Sequence, residues 1–406
     1  PMFGPSTVLL RDCDVVVWNS KRAVSLAIET SKLLKRDTPL MFVIIYESVT
    51  ATGGKLLEKV LNARPCMLVA DESITLKNPA GSRSRKCREL ASLAKIVRIL
   101  SGAPVAQGPH DLWAQLKFIG ATPDIGNFFA FRGRFCQMGG YLGKQILGPR
   151  KDNADELDAL LAKWSWRAEK KDFTDIPDKL FAERRQDMEG EQLKVYDLML
   201  REFMALLSNT DIVISADLVI TKLMKLQQIS TGFVIDAEGK PHELVDPSKN
   251  PKLQMLRQIV EETNNKVLVF AFHKHAIKML KDEFQPNQTA LITGGMSPQE
   301  IEDEKKRFNT EDDVRFLVCQ VNSAMYGHTL LGTKDRPCHT TVFFENVYSY
   351  NARAQAEDRS HRHGQRHAVL YLDLLTSDVD HKIIKALRRK ESVAHAIMEG
   401  LKQYSQ

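Results

Sequence analysis

Met67-Leu-Val-Ala-Asp71-Glu72 is a short apolar run that ends in two adjacent carboxylates. The apolar part reads as a buried strand, and in a parallel sheet the C-terminal ends of the strands form the edge where ligands bind. Three further runs of this kind surround it, at Asp14–Trp18, Met41–Tyr46 and Ile96–Leu100. A second series follows later, at Lys266–Phe272, Ala290–Thr293, Val314–Gln320, Thr341–Glu345 and Ala368–Leu375. Helical stretches lie between the runs, which is the pattern of parallel α/β sheets. Between the two series, Leu157–Lys171, Glu191–Leu207 and Ala216–Gln228 read as amphipathic helices, and Pro247–Lys252 is a polar, proline-bearing joint. The expected fold class is therefore α/β: two lobes of parallel sheet flanked by helices, joined by a helical middle, with a cleft between the lobes. The boundaries expected are 1–186, 187–247 and 248–406.

Composition bounds the function. The chain has 406 residues, 43% apolar and 27% charged, which suits folded domains and not a disordered chain. Its longest apolar runs fall well short of the ~20 residues a membrane helix needs. Six cysteines without a CxxC pair argue against a zinc ribbon or a disulfide scaffold and fit a reducing cytoplasm, or a nucleus in a eukaryote. The net charge of +6 is too small to identify a polyanion partner. Its distribution says more: Ser82–Arg98 carries six basic residues against the single Glu89, and Ile383–Lys390 carries four and no acid. Such runs are either solvated helix faces or tracks for a phosphate backbone.

Three features carry chemistry. Asp71 at a strand end can hold magnesium through water, and Glu72 can orient or deprotonate an attacking water. Ser101-Gly102-Ala-Pro104 again follows a strand directly, where Gly and Pro also serve simple turns. Gln355-Ala-Glu-Asp358-Arg359-Ser-His-Arg362-His-Gly-Gln365 sets two arginines three apart, as a developing phosphoryl charge requires. The histidines at 361, 363 and 367 have no cysteine or acidic cluster beside them, so no metal is expected there.

In this order, these features resemble the Swi/Snf-like family of DNA-dependent ATPases in helicase superfamily two. Asp71-Glu72-Ser73-Ile74 with Lys77-Asn78-Pro79 is similar to its Walker B box, and Leu100–Pro104 to its TGTP box. Lys266–Leu280 resembles the opening of its second lobe, Thr293-Gly294 with Arg307-Phe308 its next characteristic segment, and Gln320–Leu330 its SxxxGxxL box. Gln355–Gln365 matches its QxxDRxHRxGQ box at every specified letter. The resemblance covers roughly residues 40 to 400. It implies RecA-like lobes, ATP and magnesium as cofactors, and double-stranded or forked DNA as partner, with a recruiting protein unidentified. By resemblance, Asp71 and Glu72 are catalytic with Arg359 and Arg362 as arginine fingers. Ser101, Gly102, Gly327, Gln355, Asp358 and Gln365 serve the nucleotide or the interlobe contacts. Lys77, Asn78, Ser82, Arg83 and Ser323 lie on elements that meet the DNA backbone.

One departure stands out. The family's phosphate loop has the form GxxxxGK[ST], and this sequence contains no such string. The nearest, Thr52-Gly53-Gly54-Lys55-Leu56, reads as a turn. The expectation is that an N-terminal piece of ~60–100 residues lies upstream and that the first sheet is one or more strands short. The alternative is a two-lobe DNA-binding scaffold that has lost ATP. Trp164 and Trp166, two apart, cannot share one face of a helix, so one is expected to pack and the other to mark a contact.

Overall fold

The structure is a computed structural model that describes residues 13–105, 108–139, 145–168, 176–208, 216–321, 323 and 329–388. The chain divides into two units, Pro1–Arg167 and Ala168–Gln406.

The first unit contains β1 (Asp14–Val17), α1 (Ala23–Leu33), β2 (Leu40–Val43), α2 (Tyr46–Val49), α3 (Thr52–Ala63) and β3 (Met67–Ala70). It continues with α4 (Ser82–Ala91), β4 (Ile96–Ile99), α5 (Asp111–Phe118), α6 (Thr122–Ile125) and α7 (Phe128–Phe135). The hairpin of β5 (Cys136–Gly139) and β6 (Gln145–Pro149) and then α8 (Ala154–Trp164) complete it. The four parallel strands form two separate pairs, β1 with β2 and β3 with β4. One face of each pair packs on helices, through Val16, Leu26 and Leu56 in one core and Ala70, Leu57 and Leu90 in another. The other face leaves Val15, Val17, Val43, Met67, Val69 and Ile96 exposed.

The Thr52–Leu56 string is not a turn but the start of α3. Its glycines are there for close packing. A Cβ on Gly53 would stand 2.8 Å from both Ile44 and the Trp18 ring, and one on Gly54 only 1.8 Å from the Val49 carbonyl oxygen. The helix expected to run to Lys171 ends at Trp164, and 169–175 lie outside the described residues. Of the two tryptophans, Trp164 packs against the α5–α7 core and donates to Asp124 Oδ2 at 2.6 Å, while Trp166 is exposed.

The second unit contains β7 (Lys179–Arg185), α9 (Gly190–Ser208), α10 (Ala216–Thr231), the hairpin β8 (Phe233–Ile235) and β9 (Pro241–Glu243), and α11 (Pro251–Glu261). Then come β10 (Lys266–Ala271), α12 (Lys274–Glu283), β11 (Thr289–Ile292), α13 (Pro298–Thr310), β12 (Phe316–Gln320) and β13 (Cys338–Phe343). The last elements are α14 (Tyr350–Glu357), β14 (Val369–Leu375) and α15 (Asp378–Arg388). Its sheet is fully parallel, in the order β11-β12-β10-β13-β14-β7. Every residue of β10 is buried, as expected of a central strand covered on both faces.

Two expected boundaries need correction. Lys179–Arg185 was assigned to the first lobe, ending at 186, yet it is the edge strand of the second sheet and pairs with β14 along its whole length. An edge strand with half-exposed Leu180 and Phe181 lacks the continuous apolar run that marks a central one. The expected middle region, 187–247, is also part of this unit, since α9 and α10 bury Phe203, Val219 and Leu226 in one core with Val379 and Ile383 of α15. No helix among the described residues is long and apolar enough to cross a membrane.

Candidate functional site

In the first unit, β3 delivers Asp71 and Glu72 to its C-terminal end, where both side chains are exposed. Glu72 has φ 47°, and among the described residues it is the one non-glycine with positive φ. A non-glycine residue in the left-handed region costs roughly 1–2 kcal/mol, so the surrounding bonds must hold it. Several do. Glu72 N–H donates to Asp71 Oδ1 at 3.0 Å, and the Tyr46 hydroxyl donates to the Asp71 carbonyl at 2.7 Å. Burial, reinforced by Cys87, Asp71 and Glu72, raises the Tyr46 phenol well above its usual range and keeps it a donor. Ser73 N–H donates to the Leu100 carbonyl at 2.9 Å, which joins this turn to the end of β4.

Gln115, buried in α5, was not singled out by the sequence. Its Oε1 accepts from Ser73 Oγ at 2.8 Å, and its Nε2 donates to the carbonyls of Pro104 (2.7 Å) and Asp111 (2.8 Å). One side chain thus ties the Asp71–Glu72 turn to the Ser101–Pro104 loop. Ser101 Oγ accepts from Ala103 N–H at 3.3 Å, and a Cβ on Gly102 would meet nothing within 4 Å.

Lys77, Asn78, Ser82 and Arg83 come together in the loop before α4 and its first turn. Asn78 Oδ1 accepts from Ala80 N–H at 3.0 Å, and Arg83 pairs with Glu47 at 3.2 Å. Arg88, from the same basic run, is structural: it donates to Pro79 O (2.7 Å) and Ser84 Oγ (2.6 Å) and so props the loop.

In the second unit the expected residues fall at two opposite edges of the sheet. At the C-terminal edge, Gln320 closes β12, and its Oε1 accepts from Gly294 N–H (2.9 Å) and Thr293 Oγ1 (3.2 Å). Its Nε2 reaches the Phe272 carbonyl at 3.2 Å, so one side chain gathers three strand ends. Ser323 follows in the next turn, its N–H on the Gln320 carbonyl, whereas Gly327 lies outside the described residues.

Helix α14 then carries the chain from the end of β13 back to the start of β14. This places Gln355 on the helix and Asp358, Arg359, Arg362 and Gln365 at its far end, at the N-terminal edge. Arg359 is 6% exposed and its carbonyl accepts from Leu330 N–H at 3.0 Å. Arg362 donates to Thr329 Oγ1 at 3.2 Å. Gln365, expected at a nucleotide or interlobe contact, needs correction: it is buried and uses both ends of its amide within this unit. Its Nε2 donates to the Cys338 and Ser360 carbonyls, both at 3.0 Å, and its Oε1 accepts from Arg366 and His367 N–H. A buried primary amide with both ends satisfied is a tie and not a ligand.

A family model described as the SNF2-related domain matches residues 14–232, and one described as the helicase conserved C-terminal domain matches 251–364. The chain belongs to the SNF2-related family. Its relatives are SWI/SNF-type helicase-superfamily ATPases. The human DNA annealing helicase and endonuclease ZRANB3 is 23% identical over 382 residues, which is 91% of this chain and 33% of that protein. A Caenorhabditis elegans homolog of SWI/SNF-related matrix-associated actin-dependent regulator of chromatin subfamily A-like protein 1 is 26% identical over 310 residues, 74% of this chain and 41% of its own length. The chain thus spans a third to two fifths of these curated relatives. Among solved structures, the Sulfolobus solfataricus SWI2/SNF2 ATPase core in complex with dsDNA aligns over 96% of this chain and 78% of its own, at 20% identity and TM-score 0.43. The SNF2-related match runs from β1 through α10, and so continues across the division between the two units.

Proposed function

We propose that this SNF2-related chain is the motor core of a DNA-dependent ATPase that moves along or remodels duplex DNA. The observation that carries this reading is the Asp71–Glu72 turn, held in a left-handed backbone and tied through Ser73 and Gln115 to the Ser101–Pro104 loop. The exposed carboxylate of Asp71 is a hard oxygen donor of the kind that holds magnesium through its water shell. Held there beside ATP, magnesium would supply charge neutralisation at the phosphates. Glu72 orients the attacking water and accepts its proton, and Arg359 and Arg362 meet the charge that develops on the transferred group. Gln355 and Asp358 belong to the same arginine-bearing element. Lys77, Asn78, Ser82 and Arg83, with Ser323 in the second unit, grip phosphates, so binding falls steeply with salt and reads little sequence. The DNA annealing helicase named among the relatives supports a DNA substrate.

A second reading is a two-lobe DNA-binding scaffold without turnover: Gly53 and Gly54, the nearest approach to a phosphate loop in this sequence, are used for packing. ATP turnover with and without linear duplex separates the two. The motor reading expects duplex stimulation and a loss of about 10²–10⁴-fold in Glu72→Gln with DNA affinity unchanged. Salt-sensitive duplex binding with no stimulated turnover selects the scaffold.

A further inference from the structure

Pro177 and Asp178 lead into β7, which Lys179 opens, and each of the three is bonded to the arginine-bearing turn or to the strand that follows it. His361, 9% exposed, donates from Nε2 to the Pro177 carbonyl at 2.7 Å. Val369 N–H donates to the Asp178 carbonyl at 3.1 Å. Lys179 Nζ reaches Glu357 Oε2 at 3.0 Å and Asp358 Oδ1 at 3.2 Å. These two carboxylates immediately precede Arg359. The Lys179 and Glu357 side chains are 24% and 12% exposed, so water screens this pair less than an ordinary surface pair. Two residues further on, Phe181 stacks on Tyr371 with ring centroids 5.3 Å apart, and the Tyr371 hydroxyl donates to the Glu357 carbonyl at 2.7 Å. β7 is the edge strand, paired on one side only. The segment that leads into β7 is therefore fastened to the sheet by one ladder and to the arginine turn by side chains.

We propose that residues 177–179 act as a strap that positions the turn of Arg359 and Arg362, with Lys179 as the positioning residue. This role rests on the reading of those arginines as partners of phosphoryl transfer. The strap thus joins the start of β7 to the arginine turn by side chains as well as by the sheet ladder.

The test compares wild type, Lys179→Met, which keeps most of the stem and loses the charge, and Lys179→Arg. In Lys179→Met, amide exchange across 358–365 is expected to speed up by about tenfold while the core strands β10 and β12 keep their protection. Duplex-stimulated kcat falls, KM for ATP stays within about twofold, and Lys179→Arg restores both exchange and kcat. Unchanged exchange at 358–365 overturns the strap, and so does an equal rise throughout the second unit, which marks a general stability role. Faster exchange with unaltered kcat in an active protein overturns the positioning role. If wild type shows no stimulated turnover, the motor reading fails, and the exchange comparison still decides whether the strap exists.

Discussion

Glu345 follows β13 at the C-terminal edge of the second sheet. It has no solvent exposure, yet four donors surround its carboxylate. Phe272 and His273 N–H reach Oε2, both at 2.8 Å, while His273 Nδ1 (2.9 Å) and Thr231 Oγ1 (3.0 Å) reach Oε1. Burial alone pushes this acid up, but the charge and hydrogen bonds of His273, with Lys252, outweigh it and leave the group below its ordinary 4.5. A folded-state value below the unfolded one contributes stability that is complete above about pH 4.5 and is lost as pH falls through the lowered value. Glu345→Gln is therefore expected to cost about 2–3 kcal/mol at pH 7 in urea denaturation, with the gap to wild type closing below pH 4.5. A constant gap down to pH 3 contradicts this. Nothing local in the sequence marks Glu345, because Thr231 is 114 positions away, just as Ser73 lies 42 positions from Gln115. Asp71 and Glu72 were legible because a strand and the carboxylates ending it are adjacent in the chain. The left-handed backbone of Glu72 was not, since its restraints come from Tyr46 and Leu100.

At the scale of elements, α14 is fixed to the sheet by a buried ion pair. Arg353 meets Asp373 of β14 through Nη1–Oδ1 at 2.5 Å and Nη2–Oδ2 at 3.1 Å, and its Nε donates to Glu357 at 2.9 Å. Its guanidinium also lies 3.4 Å from the Phe343 ring centroid. Arg353→Met leaves the Asp373 carboxylate buried without its main counter-charge and is expected to cost about 3–5 kcal/mol in equilibrium denaturation. Adding Asp373→Leu is expected to recover most of that loss, because an apolar pair of similar volume replaces the ions. Equal losses for the single and double variants sink this account. Strands were the legible elements: β10, β12 and β14 lie within two residues of the runs read from sequence, since their burial on both faces demands continuous apolar side chains. β7 was misassigned because parallel pairing with β14 is a contact 190 residues away that its mixed composition does not encode. The Gly53–Gly54 pair misled for the opposite reason: its glycines answer to Trp18 and Val49, and helix starts forced by packing carry turn-like residues.

For the whole molecule, the two units differ in how completely their sheets are covered. The second has apolar cores on both sides of six strands, whereas the first leaves one face of each strand pair exposed. The first unit is therefore expected to unfold at lower denaturant. All four tryptophans (18, 113, 164 and 166) belong to it, so indole fluorescence reports that unit alone while far-UV circular dichroism reports both. The fluorescence midpoint is expected below the dichroism midpoint, and coincident curves refute the difference. The six-stranded sheet has a mechanical consequence of its own. Ser323 and Gln320 stand at one end of its strands and the arginine turn at the other, separated by a strand of five or six residues, about 17–20 Å of extended backbone. Close-packed interiors have low compressibility and pass strain on. The strands between these two ends therefore behave as a strut of fixed length: load applied at one edge arrives at the other as displacement, and any give in this unit has to come from its loops.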